Sequence, residues 1–192
     1  MQRGRPRSFD KRDALERAMR LFWRQGYEKT ALSELLDEMG ISRQSLYDTF
    51  GNKRSLFVQS IEYYRDEHLA QALGLLAREG SPIGNVRAAV RFFERLALGE
   101  QGCLVANAMV EVAPHDEEIA ELLSETLGLL QTSIRLALER AQRSGELSQG
   151  KSPLQLSRAL TSAVLGLAVT GKLRPGRSAL RDVHDGTLAM LD

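Results

Sequence analysis

Residues 43–50 carry side chains that could read DNA. Five of them are expected to point outward and are suited to contacts with base edges or phosphates: Arg43, Gln44, Tyr47, Asp48 and Thr49. An arginine pairs bidentately with guanine, and a glutamine pairs with adenine. In a helix, Leu46 and Phe50 are four residues apart and share one face, which leaves the polar set on the other. The stretch predicts a short helix that buries one side and presents the other to nucleic acid.

The preceding residues predict a second helix that braces this one. Its apolar residues follow the i, i+3, i+4, i+7 spacing of a single helix face: Leu32, Leu35, Leu36 and Met39. Thr30 is its candidate N-cap, Gly40 ends it, and Ser42 is the candidate N-cap of the following helix. Two short helices joined in this way predict a helix-turn-helix, whose second helix places its N-terminal residues in the major groove.

Three motifs in this region resemble the TetR family of one-component transcriptional regulators. They are LFWRQGYEKT at 21–30, SELLDEMGISRQSLYDTF at 33–50 and GNKRSLF at 51–57. Further along, GCLVANAMVE at 102–111 is similar to a segment of several TetR subgroups. The resemblance implies an all-α fold, with a three-helix helix-turn-helix head at 1–55 and a helical effector-binding and dimerisation body at 56–192.

The same resemblance implies roles for individual residues of the head. Lys53, at the opening of a helix, and Tyr47 match positions that contact phosphate. The outward positions that can meet bases are Arg43, Gln44 and Thr49. Asp48 departs from the family, in which many members carry an aromatic or neutral residue; an acid there either accepts from cytosine N4 or is held by Arg43 or a lysine. The predicted DNA-binding residues are Arg3, Arg5, Thr30, Arg43, Gln44, Ser45, Tyr47, Thr49 and Lys53.

Residues 2–7, with the sequence QRGRPR, predict a basic arm that has no apolar side chain to bury. Arg3 and Arg5 are candidate minor-groove contacts, because arginine-rich arms enter the narrow, negative minor groove of A·T-rich DNA. The RGRP motif also resembles the core of an AT-hook. The alternative is a solvated tail that only attracts phosphates.

Charge is unevenly distributed along the 192 residues. Residues 1–55 hold 12 Lys/Arg against 8 Asp/Glu, and residues 56–192 hold 14 against 17. This balance fits a DNA-binding head and a body with a different partner. The single cysteine and the absence of an 18-residue apolar run predict a cytoplasmic protein that does not enter a membrane. The three histidines are far apart in sequence, so neither a metal site nor a cofactor is expected.

Apolar periodicity predicts helices through the rest of the chain. They cover residues 11–25, 53 to beyond 77, 85–98, 103–113, 116–144, 153–173 and 178–191, with loops at 80–84, 99–102 and 175–177. Asp10 or Ser8 is the candidate cap of the first helix, and Trp23 and Tyr27 are expected in the core of the head. The segment 102–113 is apolar on nearly all sides, which predicts a buried helix.

Two of these helices, 116–144 and 153–173, are expected to form a homodimer interface. The first carries a leucine-rich stripe widened by Leu122, Leu129 and Leu136, and the second carries small residues that allow close helix approach. The resemblance implies that they pair across a two-fold axis as a four-helix bundle, which would match a palindromic operator. Packing within one chain is the alternative.

The residues expected to line an effector pocket are Tyr64, His68, Phe92, Phe93, Cys103, Asn107 and Met109. Asn107 interrupts an apolar segment, so its amide needs a partner, which the backbone or a ligand can supply. Cys103 is predicted to open a helix, where a thiolate is favoured and a redox-sensing role becomes feasible, with Lys172 as a candidate stabilising neighbour. The alternative is a small, buried side chain with an inert thiol.

The favoured function is a DNA-binding transcriptional regulator, a repressor released from its operator by a small apolar or amphipathic effector or by thiol modification. One alternative is a thiol enzyme or peroxide-reducing protein that uses Cys103. No His, Asp or second Cys stands in a recognisable relation to that thiol, so an enzyme is not expected. Another alternative is a constitutive or architectural DNA binder without an effector.

Overall fold

The computed structural model describes residues 9–97, 102–173 and 176–192, which form helices and turns and contain no β-strand. This confirms the all-α prediction. The contacts divide the chain into two units, a head that ends at Tyr64 and a body that begins at Arg65. The division falls later than the boundary expected after residue 55, because the fourth helix packs against the first.

The helices of the head are α1 Lys11–Gln25, α2 Leu32–Met39, α3 Arg43–Phe50 and α4 Lys53–Tyr64. Asp10 caps α1, as predicted, by accepting hydrogen bonds from two first-turn N–H groups. The prediction that Thr30 caps α2 is wrong. Ala31 occupies the N-cap position, and its N–H donates to the Glu34 carboxylate at 2.8 Å. The Thr30 hydroxyl instead donates to the Gly26 carbonyl at 2.6 Å.

Aromatic side chains pack against one another in the head, beside buried aliphatic residues. Phe22 of α1 meets Phe57 of α4 edge-to-face, with ring centroids 5.0 Å apart, and Tyr27 lies 4.7 Å from Phe57. Trp23 packs edge-on against Tyr64 at 5.0 Å. Such pairs contribute about 0.5–1.5 kcal/mol each beyond the burial of their area. The predicted packing roles of Trp23 and Tyr27 are confirmed.

The long helix expected from residue 53 contains a π-helical turn. After α4, the π turn spans Arg65–Leu69 and α5 spans Ala70–Leu76, so the helical segment ends before residue 77. The buried residues Tyr64 and Leu69 are five apart, which is the hydrogen-bond step of a π turn. His68 lies within this π turn and is half-buried.

The body adds α6 Pro82–Ala97, α7 Leu104–Glu111, a 3₁₀ turn at Ala113–His115, α8 Glu117–Arg143, α9 Pro153–Gly171 and α10 Arg177–Ala189. An apolar cluster of the body includes Leu130, Ile134 and Leu138 of α8. Buried residues of α5, α6, α9 and α10 pack against these side chains.

Two predictions about the body need correction. Helix α6 begins at Pro82 and not at 85, because the Ser81 hydroxyl accepts from the Gly84 N–H at 2.9 Å and caps it. The expected loop at 80–84 is therefore shorter. Helix α7 is not buried all round, since Val110 is 75% exposed and Asn107 and Met109 are half-buried. Residues 99–101 and 175 of the other two predicted loops lie outside the described residues. Helix α10 begins at Arg177 and not at 178, with Gly176 at its N-cap position.

Glu146, in the turn after α8, ties that turn to the start of α6. Its carboxylate accepts from the hydroxyl of Ser81, from the Ile83 N–H at 3.3 Å and from the Ser144 hydroxyl at 2.9 Å. The hydrogen bond from Ser81 is the main cause that lowers the pKa of Glu146, with smaller contributions from Ser144 and Ile83.

We expect Glu146→Gln to lower the melting temperature at neutral pH and to lose this effect in acid. A carboxyl whose pKa is lower in the folded than in the unfolded state adds stability above the unfolded pKa, and that stability disappears as the pH falls through the folded pKa. Calorimetry from about pH 7 to about pH 3 measures the difference. Glu125→Gln, at an exposed position of α8, is the control. A difference that stays constant with pH would contradict the assignment.

Candidate nucleic-acid interface

Helix α3 presents the face that was predicted to read DNA. Leu46 and Phe50 are buried and hold its opposite side. The Ser42 side chain accepts from the Ser45 N–H at 3.1 Å and caps the helix, as predicted. Gly51, with a φ of 84°, ends it in a conformation that favours glycine. The exposed side chains of the helix are Arg43, Gln44, Tyr47 and Asp48, and Ser45 and Thr49 are half-buried.

Two exposed side chains on α3, those of Gln44 and Asp48, form a hydrogen bond with each other. The Nε2 of Gln44 donates to the Oδ1 of Asp48 at 2.8 Å. From the sequence, cytosine N4, Arg43 or a lysine was expected as the partner of the Asp48 carboxylate. In the structure its hydrogen-bond partner is Gln44. The pair is one helical turn apart, so both side chains lie on the same face of the helix.

Lys53 lies at the start of α4, where Asn52 caps the helix by accepting from the Ser55 N–H at 2.9 Å. The Lys53 Nζ sits over the Tyr27 ring, 4.4 Å from its centroid. A lysine beside the N–H groups of a helix N-terminus provides an environment that favours a phosphate. The sequence pattern did not indicate that the Tyr27 ring lies under the Lys53 ammonium group. Asn52 was not predicted as the cap of α4 either, although asparagine is a common N-cap residue.

One of the predicted DNA contacts, Thr30, is not on this surface. The Thr30 side chain is fully buried, and its hydroxyl already donates to Gly26, so its inclusion in the predicted interface was wrong. Arg3 and Arg5 lie outside the described residues.

The predicted effector residues do not all converge. Tyr64 is buried in the head against Trp23, which removes it from a pocket in the body. Phe92 lines an open cleft of about 430 Å³ between α5 and α6. Phe93 packs half-buried against the body core, with its ring edge-on to that of Phe92 at 5.4 Å. The other residues that line the cleft are Gln71, Gly74, Leu75, Arg78 and Arg95.

Cys103 is the N-cap of α7 and is half-buried with a free thiol. Gly102 before it has a φ of 67° and lies close to α9: a Cβ there would be 2.8 Å from the Ala168 carbonyl oxygen and 3.1 Å from the Lys172 Cε. The predicted neighbour Lys172 therefore lies beside Gly102, the residue that precedes Cys103. Burial lowers the pKa of His68, and the adjacent Glu67 carboxylate partly opposes this effect.

The part of the chain that the structure describes contains no helix long and apolar enough to cross a membrane. In the same residues, no group of three or more His, Cys, Asp or Glu side chains is arranged to hold a metal ion.

Two matches to protein families cover most of the chain. Residues 14–59 match the bacterial regulatory proteins of the tetR family, and residues 84–186 match the tetracyclin repressor-like C-terminal domain. This chain belongs to the TetR family. The TetR resemblance inferred from the sequence motifs is thereby confirmed, and the protein is a DNA-binding transcriptional regulator with a helix-turn-helix head.

Individual relatives match nearly the whole length of this TetR-family protein. The HTH-type transcriptional regulator YezE of Bacillus subtilis (strain 168) is 34% identical, over 98% of this chain and 100% of its own. The HTH-type transcriptional repressor ComR of Escherichia coli (strain K12) is 27% identical, over 98% of this chain and 91% of its own. Both relatives are described as regulators rather than enzymes.

A solved structure extends this similarity to three dimensions. It is a cysteine mutant of the TetR family transcriptional regulator CifR, complexed with 26-base-pair double-strand operator DNA. The two chains superpose with a TM-score of 0.88 and 30% sequence identity, over 98% of this chain and 100% of that one.

We expect Ser42→Ala to destabilise the head by about 1 kcal/mol, because it removes the cap of an eight-residue helix. The fluorescence of Trp23, the single tryptophan of the chain, reports on the head during unfolding in guanidinium chloride. Ser33→Ala, at an exposed position inside α2, is the matched control. Equal shifts of the two unfolding midpoints would show that the cap contributes nothing.

Proposed function

We propose that this TetR-family protein is a homodimeric repressor that binds a palindromic operator and is released from it by a small effector or by modification of Cys103. The observation that carries the proposal is the exposed polar face of α3. Arg43 and Gln44 lie in its first turn, where helix-turn-helix proteins contact base edges. Binding of operator DNA by the similar protein CifR supports it.

The proposed contacts divide by chemistry. Arg43 reads guanine and Gln44 reads adenine, because their side chains match the donor and acceptor patterns of those bases in the major groove. Tyr47 and Lys53 bind phosphates, which fixes the register of α3 without reading sequence. Ser45 and Thr49 are half-buried and add polar contacts at the edge of the interface.

The proposed dimer uses the outer faces of α8 and α9. On α8, Leu129 is 51% exposed and Leu136 is 45% exposed, although they are large apolar side chains. Val169 on α9 is also exposed, next to the small residues Gly166 and Thr170. An apolar face of this kind on two neighbouring helices suits burial against a second copy by four-helix packing. Two copies would place two α3 helices on the two half-sites of an operator.

The cleft between α5 and α6 is the proposed effector site. Leu75 and Phe92 offer apolar surface, while Arg78 and Arg95 line the same cleft. This composition suits an amphipathic molecule with a negatively charged group. Effector binding would favour a spacing between the two heads that does not match successive major grooves. Operator affinity would fall by an amount set by how much more tightly the effector binds that state than the DNA-binding state. The half-buried thiol of Cys103 provides the second proposed route of release.

We expect Arg43→Ala to weaken binding to the operator by about 1–3 kcal/mol and to relax the preference at one base pair in each half-site. Titration of labelled operator and random duplex measures both effects. Lys53→Ala is the matched comparison. It should weaken binding to both DNAs by the same factor and reduce the slope of log affinity against log salt concentration by about one. Equal losses on operator and random DNA for Arg43→Ala would reject the base contact.

We expect the double variant Leu129→Glu, Leu136→Glu to be a monomer with lowered operator affinity, because two charges would have to be buried in the proposed interface. Sedimentation velocity measures the oligomeric state. Val110→Glu is the control, because Val110 is even more exposed but lies on α7, outside the proposed interface. A double variant that remains a dimer would place the interface elsewhere.

A further inference from the structure

The hydrogen bond between Gln44 and Asp48 points to a role for Asp48 in sequence recognition. We infer that Asp48 is a positioning residue, which fixes the side-chain amide of Gln44 so that it recognises adenine in preference to the other bases. The inference rests on the proposed function, in which α3 lies in the major groove.

The first step concerns the orientation of the amide. An ionised carboxylate can only accept hydrogen bonds, so the atom of Gln44 that faces it must be the nitrogen Nε2 and not the oxygen Oε1. The 2.8 Å bond therefore selects one of the two amide orientations. It uses one of the two N–H groups on Nε2, which leaves the other N–H and Oε1 for a base.

The second step concerns which base this remaining pair suits. Adenine offers the N7 acceptor and the N6 amino donor in the major groove, which one N–H and one carbonyl oxygen satisfy together. Guanine offers two acceptors, N7 and O6, and would need two donors from a side chain that has one left. Thymine offers one acceptor and cytosine one donor, so each can form a single bond. Adenine is therefore the base that can hydrogen-bond with both the remaining N–H and the Oε1 of Gln44.

The third step concerns the charge of Asp48. A carboxylate on the exposed face of α3 repels phosphates and the acceptor edge of guanine, so it lowers affinity for DNA in general. The same group holds Gln44 in one conformation before binding, which reduces the ordering cost on the correct site. Both effects raise the ratio of specific to random binding.

A purely structural role is the competing explanation, because Gln and Asp spaced i, i+4 also stabilise a helix. The two roles differ in what they change. Loss of helix stability would weaken binding to every sequence alike. Loss of amide positioning would change the preference at one base pair and leave the rest of the consensus intact.

The experiment is selection from random duplex DNA by the full-length protein and by Gln44→Ala, Asp48→Asn and the double variant. The position at which Gln44→Ala loses its preference identifies the base that Gln44 reads, which we expect to be adenine. Asp48→Asn should reduce the adenine preference at that position about tenfold and raise affinity for random DNA. The double variant should show the preference of Gln44→Ala alone.

The controls separate failure of this inference from failure of the proposed function. Asp37→Asn makes the same change of charge at an exposed position of α2 and should keep the adenine preference. If Asp48→Asn keeps it too, or if the base read by Gln44 is guanine or thymine, the positioning role is rejected while the regulator assignment stands. If the unmodified protein selects no consensus, the proposed function fails and this inference fails with it.

Discussion

A helix of eight residues forms too few hydrogen bonds to be stable alone in water, and α3 is such a helix. The rest of the head supplies what it lacks. Ser42 caps its start, and Gly51 allows the chain to turn sharply at its end. Leu46 and Phe50 are buried on its inner side, and each contributes roughly 1.5–3 kcal/mol by leaving water. The outer side does not have to contribute to the core, and its exposed residues are polar, including the acid Asp48.

The features that the sequence predicted well are those determined within a few residues. Asp10 and Ser42 cap the helices that they precede, because an N-cap needs only the N–H groups of the next turn. Thr30 is also an N-cap residue type, but its hydroxyl donates to the Gly26 carbonyl and does not cap α2. Glu146 caps a helix more than sixty positions earlier in the chain, which no local pattern reveals. Tyr64 has an inward helix position, yet only the tertiary packing shows that it belongs to the head.

The π turn between α4 and α5 was visible in the sequence in a form that is easy to overlook. Leu56 and Ser60 are buried near the start of this segment. The other buried positions, which follow one another along a single stripe, are Phe57, Ile61, Tyr64, Leu69, Ala72 and Leu76. Their spacing is three or four residues except between Tyr64 and Leu69, where it is five. An α-helix does not bring residues five apart onto one face, whereas a π turn does. The irregular step in the apolar pattern thus marks the place where the contacts divide the chain.

This continuous helical path limits how an effector could act under the proposed function. Gln71, Gly74 and Leu75 belong to both the cleft and α5, and helical backbone runs from α5 through the π turn into α4, which begins at Lys53. A ligand that fits the cleft equally well in both states would shift nothing, however tightly it binds. Reversing a 99:1 preference requires about 5.5 kcal/mol of differential affinity. Under the proposed function, the effector must therefore bind the cleft with different affinities in the two states. Helix α5 is the lining element that is joined to α4 through the π turn.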